Sequence, residues 1–124
     1  MQGEAHGTFE VDLRPIGGND GPIAVMSINK TFAGVGQMLA FRTPVQGSAG
    51  YVAMERVTAT LAGRQGGFTL QHNGLMTRGR PELSVVVVPD SGSEGLLGLS
   101  GTLEITISEG RHDYRLVYSL PDEI

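Results

Sequence analysis

Residues 51–77 read YVAMERVTATLAGRQGGFTLQHNGLMT. The run divides at Gly63-Arg64-Gln65-Gly66 into two arms. In the first arm Val57, Ala59 and Leu61 alternate with Arg56, Thr58 and Thr60; in the second, Phe68 and Leu70 alternate with Thr69 and Gln71. Successive side chains of a strand point to opposite faces, so a period of two describes a hairpin with one apolar and one polar face. Strands are predicted over 51–62 and 67–77, with the glycine-flanked Arg64-Gln65 at the turn centre. That turn sets Leu61 opposite Phe68, Ala59 opposite Leu70, Val57 opposite His72 and Glu55 opposite Gly74. Glu55 and His72 then share the apolar face, diagonal to one another and within reach of long side chains. Neither residue type is expected on such a face.

The same alternation runs outward through the chain. At residues 5–13 the odd positions are Ala5, Gly7, Phe9, Val11 and Leu13, and the even ones His6, Thr8, Glu10 and Asp12. Further strands are predicted over 24–33, 37–43, 82–88, 102–108 and 111–120. Gly34-Val35-Gly36 turns the second strand into the third. Residues 89–101 form a long turn, with one helical turn at Leu96-Leu97. The six prolines all fall in loops or at strand ends, where no ladder hydrogen bond is lost. Eight strands joined by short turns predict an all-β chain: a closed, antiparallel, eight-stranded up-and-down barrel, which leaves no open edge. A two-sheet sandwich is the alternative. Residues 1–124 are read as one domain.

Composition bounds the function. A chain of 124 residues with 40% hydrophobic residues can build one core. Thirteen acidic against nine basic side chains give a net charge of -4, and Lys30 is the one lysine. That balance argues against binding nucleic acid. With no cysteine, thiolate metal sites and disulfides are excluded. The start, Met1-Gln2-Gly3-Glu4-Ala5-His6, has no basic or apolar leader region. The run Val85-Val86-Val87-Val88 falls far short of the ~20 residues a spanning helix needs. A soluble, cytoplasmic protein is expected, without membrane contact. No glycine-rich phosphate loop precedes a helix, and no Gly-x-Ser-x-Gly elbow occurs.

In the last hairpin, Glu109-Gly110 as the turn places Ile107 opposite His112, Ile105 opposite Tyr114 and Leu103 opposite Leu116, with Tyr118 continuing the inward row. Lys30 shares a face with Met26, Ile28 and Phe32. An isolated buried charge is very costly, so Glu55, His72 and Lys30 must pair, neutralise or meet water. A barrel that holds them is expected to keep a cavity, and an apolar cavity with a few polar groups is the usual small-molecule site. Glu55 and His72 are the candidate catalytic residues, since a desolvated carboxyl beside an imidazole can shuttle protons near neutrality. The plain alternative is a buried hydrogen-bonded pair that fixes strand register. Lys30, Tyr51, His112, Tyr114 and Tyr118 are candidate ligand-binding residues. For Lys30 the alternative is a salt bridge to Glu55 or a head group snorkelling at the rim; for the tyrosines it is a core position with a satisfied hydroxyl. A facial triad of Glu55, His72 and His112 lacks any metal-ligand spacing, so no metal and no cofactor is expected.

The run Gly47 to Gly79, together with GTFEVDL near the start and VVPDSGSEGLLGLSGTLEITISEGRHDY over residues 87–114, resembles a small bacterial family of unknown function. The resemblance covers most of the chain. It implies the allene oxide cyclase barrel, in whose plant members an inward glutamate helps bind and isomerise a fatty-acid epoxide. Glu55 is the position to compare with that glutamate. The chain departs from the family pattern after Phe32, where a longer acidic segment is cut to Gly34-Val35-Gly36, altering one barrel mouth. Related barrels associate, so a homodimer or homotrimer is expected. Three functions follow from these readings. The first is a module that binds a small, largely apolar molecule. The second is a cyclase or isomerase using Glu55 and His72. The third is a structural barrel with a filled core.

Overall fold

A computed structural model describes residues 1–16, 23–30 and 34–122 of the chain. The described residues form ten strands: β1 (Gln2–Phe9), β2 (Val11–Pro15), β3 (Ile23–Lys30), β4 (Gly34–Arg42), β5 (Ala49–Leu61), β6 (Arg64–Thr77), β7 (Arg80–Val87), β8 (Ser93–Glu94), β9 (Ser100–Ser108) and β10 (Arg111–Ser119). Nine of them form one antiparallel path, β1-β10-β9-β7-β6-β5-β4-β3-β2, and β8 pairs with β6 off that path. The all-β, antiparallel expectation holds.

The expected closed eight-stranded barrel does not. Closure requires the first strand to carry ladders on both edges over the same residues. Here the chain divides at Glu10: among the described residues β1 pairs only with β10, and β2 only with β3. The seam between β7 and β9 rests on a single pair, Val86 with Thr102. The sheet is therefore a curled half-barrel, with β1 and β2 as its two ends.

Turn chemistry sets the registers. In the β5–β6 hairpin Leu61 faces Arg64, so Ala62 and Gly63 are the central turn residues. Both have positive φ, 52° and 76°, which is the primed-turn geometry that matches strand twist. The predicted Arg64-Gln65 centre is thus corrected: Val57 faces Phe68, Glu55 faces Leu70 and Ala53 faces His72. Each β5 residue meets a β6 partner four positions earlier than predicted. An even slip preserves the side chain's face, so the apolar row remains the inner row. The β9–β10 hairpin has the predicted register, with Glu109 and Gly110 at φ 52° and 79°.

The core occupies one end of the curl. Val57, Leu61, Phe68, Leu70, Val85, Val87, Leu103 and Leu116 pack there around Leu96, Leu99 and Leu120. Leu96 and Leu99 come from the long turn after β7, not from the sheet. Ser93 to Leu99 coils tightly, with Leu96 N donating to Ser93 O and Leu99 N to Leu96 O; these are hydrogen-bonded turns and not the helical turn expected at Leu96-Leu97. Two arginines fasten this segment. Arg56 donates to Ser91 O (2.7 Å) and Ser93 Oγ (2.9 Å), and Arg64 to Gly95 O (2.9 Å). The segment plugs that end of the half-barrel.

Outside, Arg115 on β10 bridges its two neighbours, donating to Glu4 on β1 and to Glu104 on β9. The hydrogen bond and charge of Arg115 hold the Glu4 carboxyl below its ordinary range. A group with a depressed folded value binds fewer protons folded than unfolded in mild acid. Its stabilisation is present at neutral pH and is lost as pH falls through the carboxylate range. Wild type is therefore expected to lose slightly more stability than Glu4→Gln between pH 7 and pH 3. The difference, read from urea midpoints, should shrink in high salt because the pair is exposed.

Candidate functional site

The inner rows of β5 and β6 build the site. Tyr51 faces Gly74, Ala53 faces His72 and Glu55 faces Leu70. His72 is thus diagonal to Glu55 on one side and to Tyr51 on the other, with the Ala53 methyl opposite it on β5 and Val85 opposite it on β7. Glycines make room for both neighbours. A Cβ at Gly34 would collide with Glu55 Oε2, and one at Gly74 would collide with the Tyr51 ring.

Glu55 is 1% exposed and His72 4%. His72 Nε2 lies 2.8 Å from Glu55 Oε1. The predicted register and the observed one both leave these residues diagonal, through opposite neighbours, so the pairing survives the slip.

His72 lines an interior cavity of about 280 Å³. Phe9, Val11, Ile28, Met38 and Ile105 contribute apolar wall, and Tyr51, His72 and His112 are its polar members. Leu13, Leu83 and Ile107 also line it and are exposed, which marks the open mouth. The mouth lies away from the plugged end, beside the β9–β10 turn. The curl makes this possible, because β1, β2 and β3 face the same space as β9 and β10. Burial alone raises the Tyr51 hydroxyl above its ordinary value, so it remains protonated at neutral pH.

The seven candidate residues separate in space. Tyr51, His72 and His112 meet at the cavity, and the His112 ring packs on Phe9 with centroids 5.1 Å apart. Glu55 lies behind His72, supporting it without lining the cavity. Tyr118 belongs to the plugged-end core, and Tyr114 packs against it. The Lys30 backbone pairs with Val11 and Gly34, but its side chain lies outside the described residues, as does Phe32. Among the described residues, no three His, Cys, Asp or Glu side chains cluster to hold a metal ion. Ala53 and Met38 were not singled out from sequence. Their place beside His72 depends on the β4–β5–β6 registers, which alternation alone does not supply.

Among the described residues no helix is long and apolar enough to cross a membrane. No curated protein matches the sequence. One solved structure, a protein of unknown function from the DUF3224 family of Shewanella oneidensis MR-1, is 40% identical, with a TM-score of 0.88 over 98% of both chains. The allene oxide cyclase comparison finds no counterpart in these matches. The family model for DUF3224, a protein of unknown function, matches residues 5–118. With a match of that extent, the chain belongs to the DUF3224 family.

Proposed function

We propose that the protein binds a small, largely apolar molecule in the interior cavity, with the Glu55–His72 pair orienting the polar end of that molecule. One observation carries the reading: a buried carboxylate holds an imidazole at 2.8 Å, and that imidazole lines an otherwise apolar space of about 280 Å³. A barrel serving only as a scaffold would gain by filling this space with side chains, because unfilled volume forfeits packing. The core is filled at the plugged end and left open at the other.

Native mass spectrometry of freshly purified protein tests the proposal. A small adduct is expected on the wild type. Ala53→Leu puts a branched side chain into the cavity opposite His72. It is expected to weaken uptake by about tenfold or more, roughly 1.4 kcal/mol or more of binding free energy. The variant should stay folded, since its added methyl groups enter existing space. An adduct retained at full occupancy in Ala53→Leu would count against this cavity as the site.

A further inference from the structure

We infer that the cavity selects a compact, neutral molecule carrying a hydroxyl group, which donates to His72 Nδ1 and accepts from the Tyr51 hydroxyl. The inference rests on the reading of the cavity as a ligand site and adds the chemistry of the ligand's polar end.

The argument begins with the two nitrogens of His72. The contact of Nε2 with Glu55 is the ring's one hydrogen bond among the described residues. A carboxylate only accepts, so Nε2 carries the proton in that contact. Assigning the ring that single proton leaves Nδ1 as an acceptor. Among the described residues His72 Nδ1 is not one of the side-chain atoms sealed from solvent, so it is reachable from the cavity that His72 lines. The Tyr51 hydroxyl is in the same position: it has no hydrogen bond among the described residues, it is not sealed, and Tyr51 lines the same cavity. A phenol is protonated at neutral pH, so it can donate.

An acceptor and a donor therefore stand on diagonal positions of one strand pair. A hydroxyl oxygen is the smallest group that serves both from one atom. A carboxylate accepts only. It would leave Nδ1 unmatched. A hydrocarbon would bury both polar atoms without partners, which is disfavoured. A volume of about 280 Å³ sits at the low end of small-molecule pockets, so the skeleton is compact, closer to a fused ring pair than to a long acyl chain.

Three probes with one carbon skeleton test this on the full chain at neutral pH: 2-naphthol, naphthalene and 2-naphthoate, titrated by fluorescence. 2-Naphthol is expected to bind roughly tenfold tighter than either of the others, the yield of two modest hydrogen bonds. Tyr51→Phe keeps the ring over Gly74 and should weaken 2-naphthol several-fold while leaving naphthalene unchanged. The ¹⁵N resonance of His72 Nδ1 should move on adding 2-naphthol and stay in place with naphthalene. Equal binding of 2-naphthol and naphthalene, tighter binding of 2-naphthoate, or an Nδ1 already protonated in the free protein would each overturn the hydroxyl inference and leave the ligand-site reading standing. Failure of all three probes to bind would overturn both.

Discussion

His72→Leu is expected to destabilise the protein by about 3 kcal/mol, the usual order for taking a hydrogen-bond donor away from a buried carboxyl group. The size comes from what is left behind. Leucine fills much of the imidazole's volume, so little of the loss is packing. Glu55, 1% exposed, would keep its carboxyl inside without the Nε2–H group at 2.8 Å. Desolvating a carboxylate without that donor is far more expensive than the net value of an ordinary hydrogen bond. For a chain of this length the melting temperature should fall by about 10 °C. Urea unfolding should show a lower midpoint at unchanged slope, because the surface exposed on unfolding is nearly the same. Glu55→Gln is the control. Its amide oxygen can still accept from Nε2, so a loss of only about 1 kcal/mol is expected. If the two substitutions had equal and small effects, the pair would be a neutral contact and not a buried charge held by its partner.

That pair shows how far a sequence can be read. Alternation located Glu55 and His72 on the inner face because a period of two is insensitive to any even slip of register. The turn was harder. Arg64-Gln65 between glycines looks like a two-residue loop, yet Ala62 and Gly63 take the positive φ angles. An alanine at φ 52° gives no compositional warning. The last hairpin was fully legible because Glu109-Gly110 puts glycine at the second turn position and equal polar–apolar arms on both sides. Closure was not legible at all. Whether residues 2–15 serve as one strand or as two with different partners depends on Glu10, which looks like any outward residue in the alternating row. The open mouth was equally hidden, since it depends on which end receives Leu96 and Leu99 from a turn that pattern alone assigns to the surface.

Leu96→Ala is expected to destabilise the protein by about 3 kcal/mol, within the 2–5 kcal/mol range for emptying a buried leucine site. Leu96 has no exposed surface, although its neighbour Leu97 is 54% exposed, so the turn drives one leucine inward and leaves the next in solvent. Collapse around the shortened side chain is resisted from several sides. Ser93 and Leu99 hold the Leu96 segment through backbone hydrogen bonds, and Arg56 and Arg64 fasten the flanking residues to the sheet. The void should therefore persist, which places the loss above a simple transfer value. Leu97→Ala, on the same turn, should change stability by no more than about 0.5 kcal/mol. The comparison also separates the two ends of the molecule. Leu96 lies in the plugged core, while Tyr51, Ala53 and His72 line the cavity near the mouth. Under conditions where Leu96→Ala remains folded, it should bind 2-naphthol with near wild-type affinity, because Leu96 does not line the cavity. A Leu96→Ala protein that is stable yet unable to bind would mean that the plugged end, and not the cavity beside His72, receives the ligand.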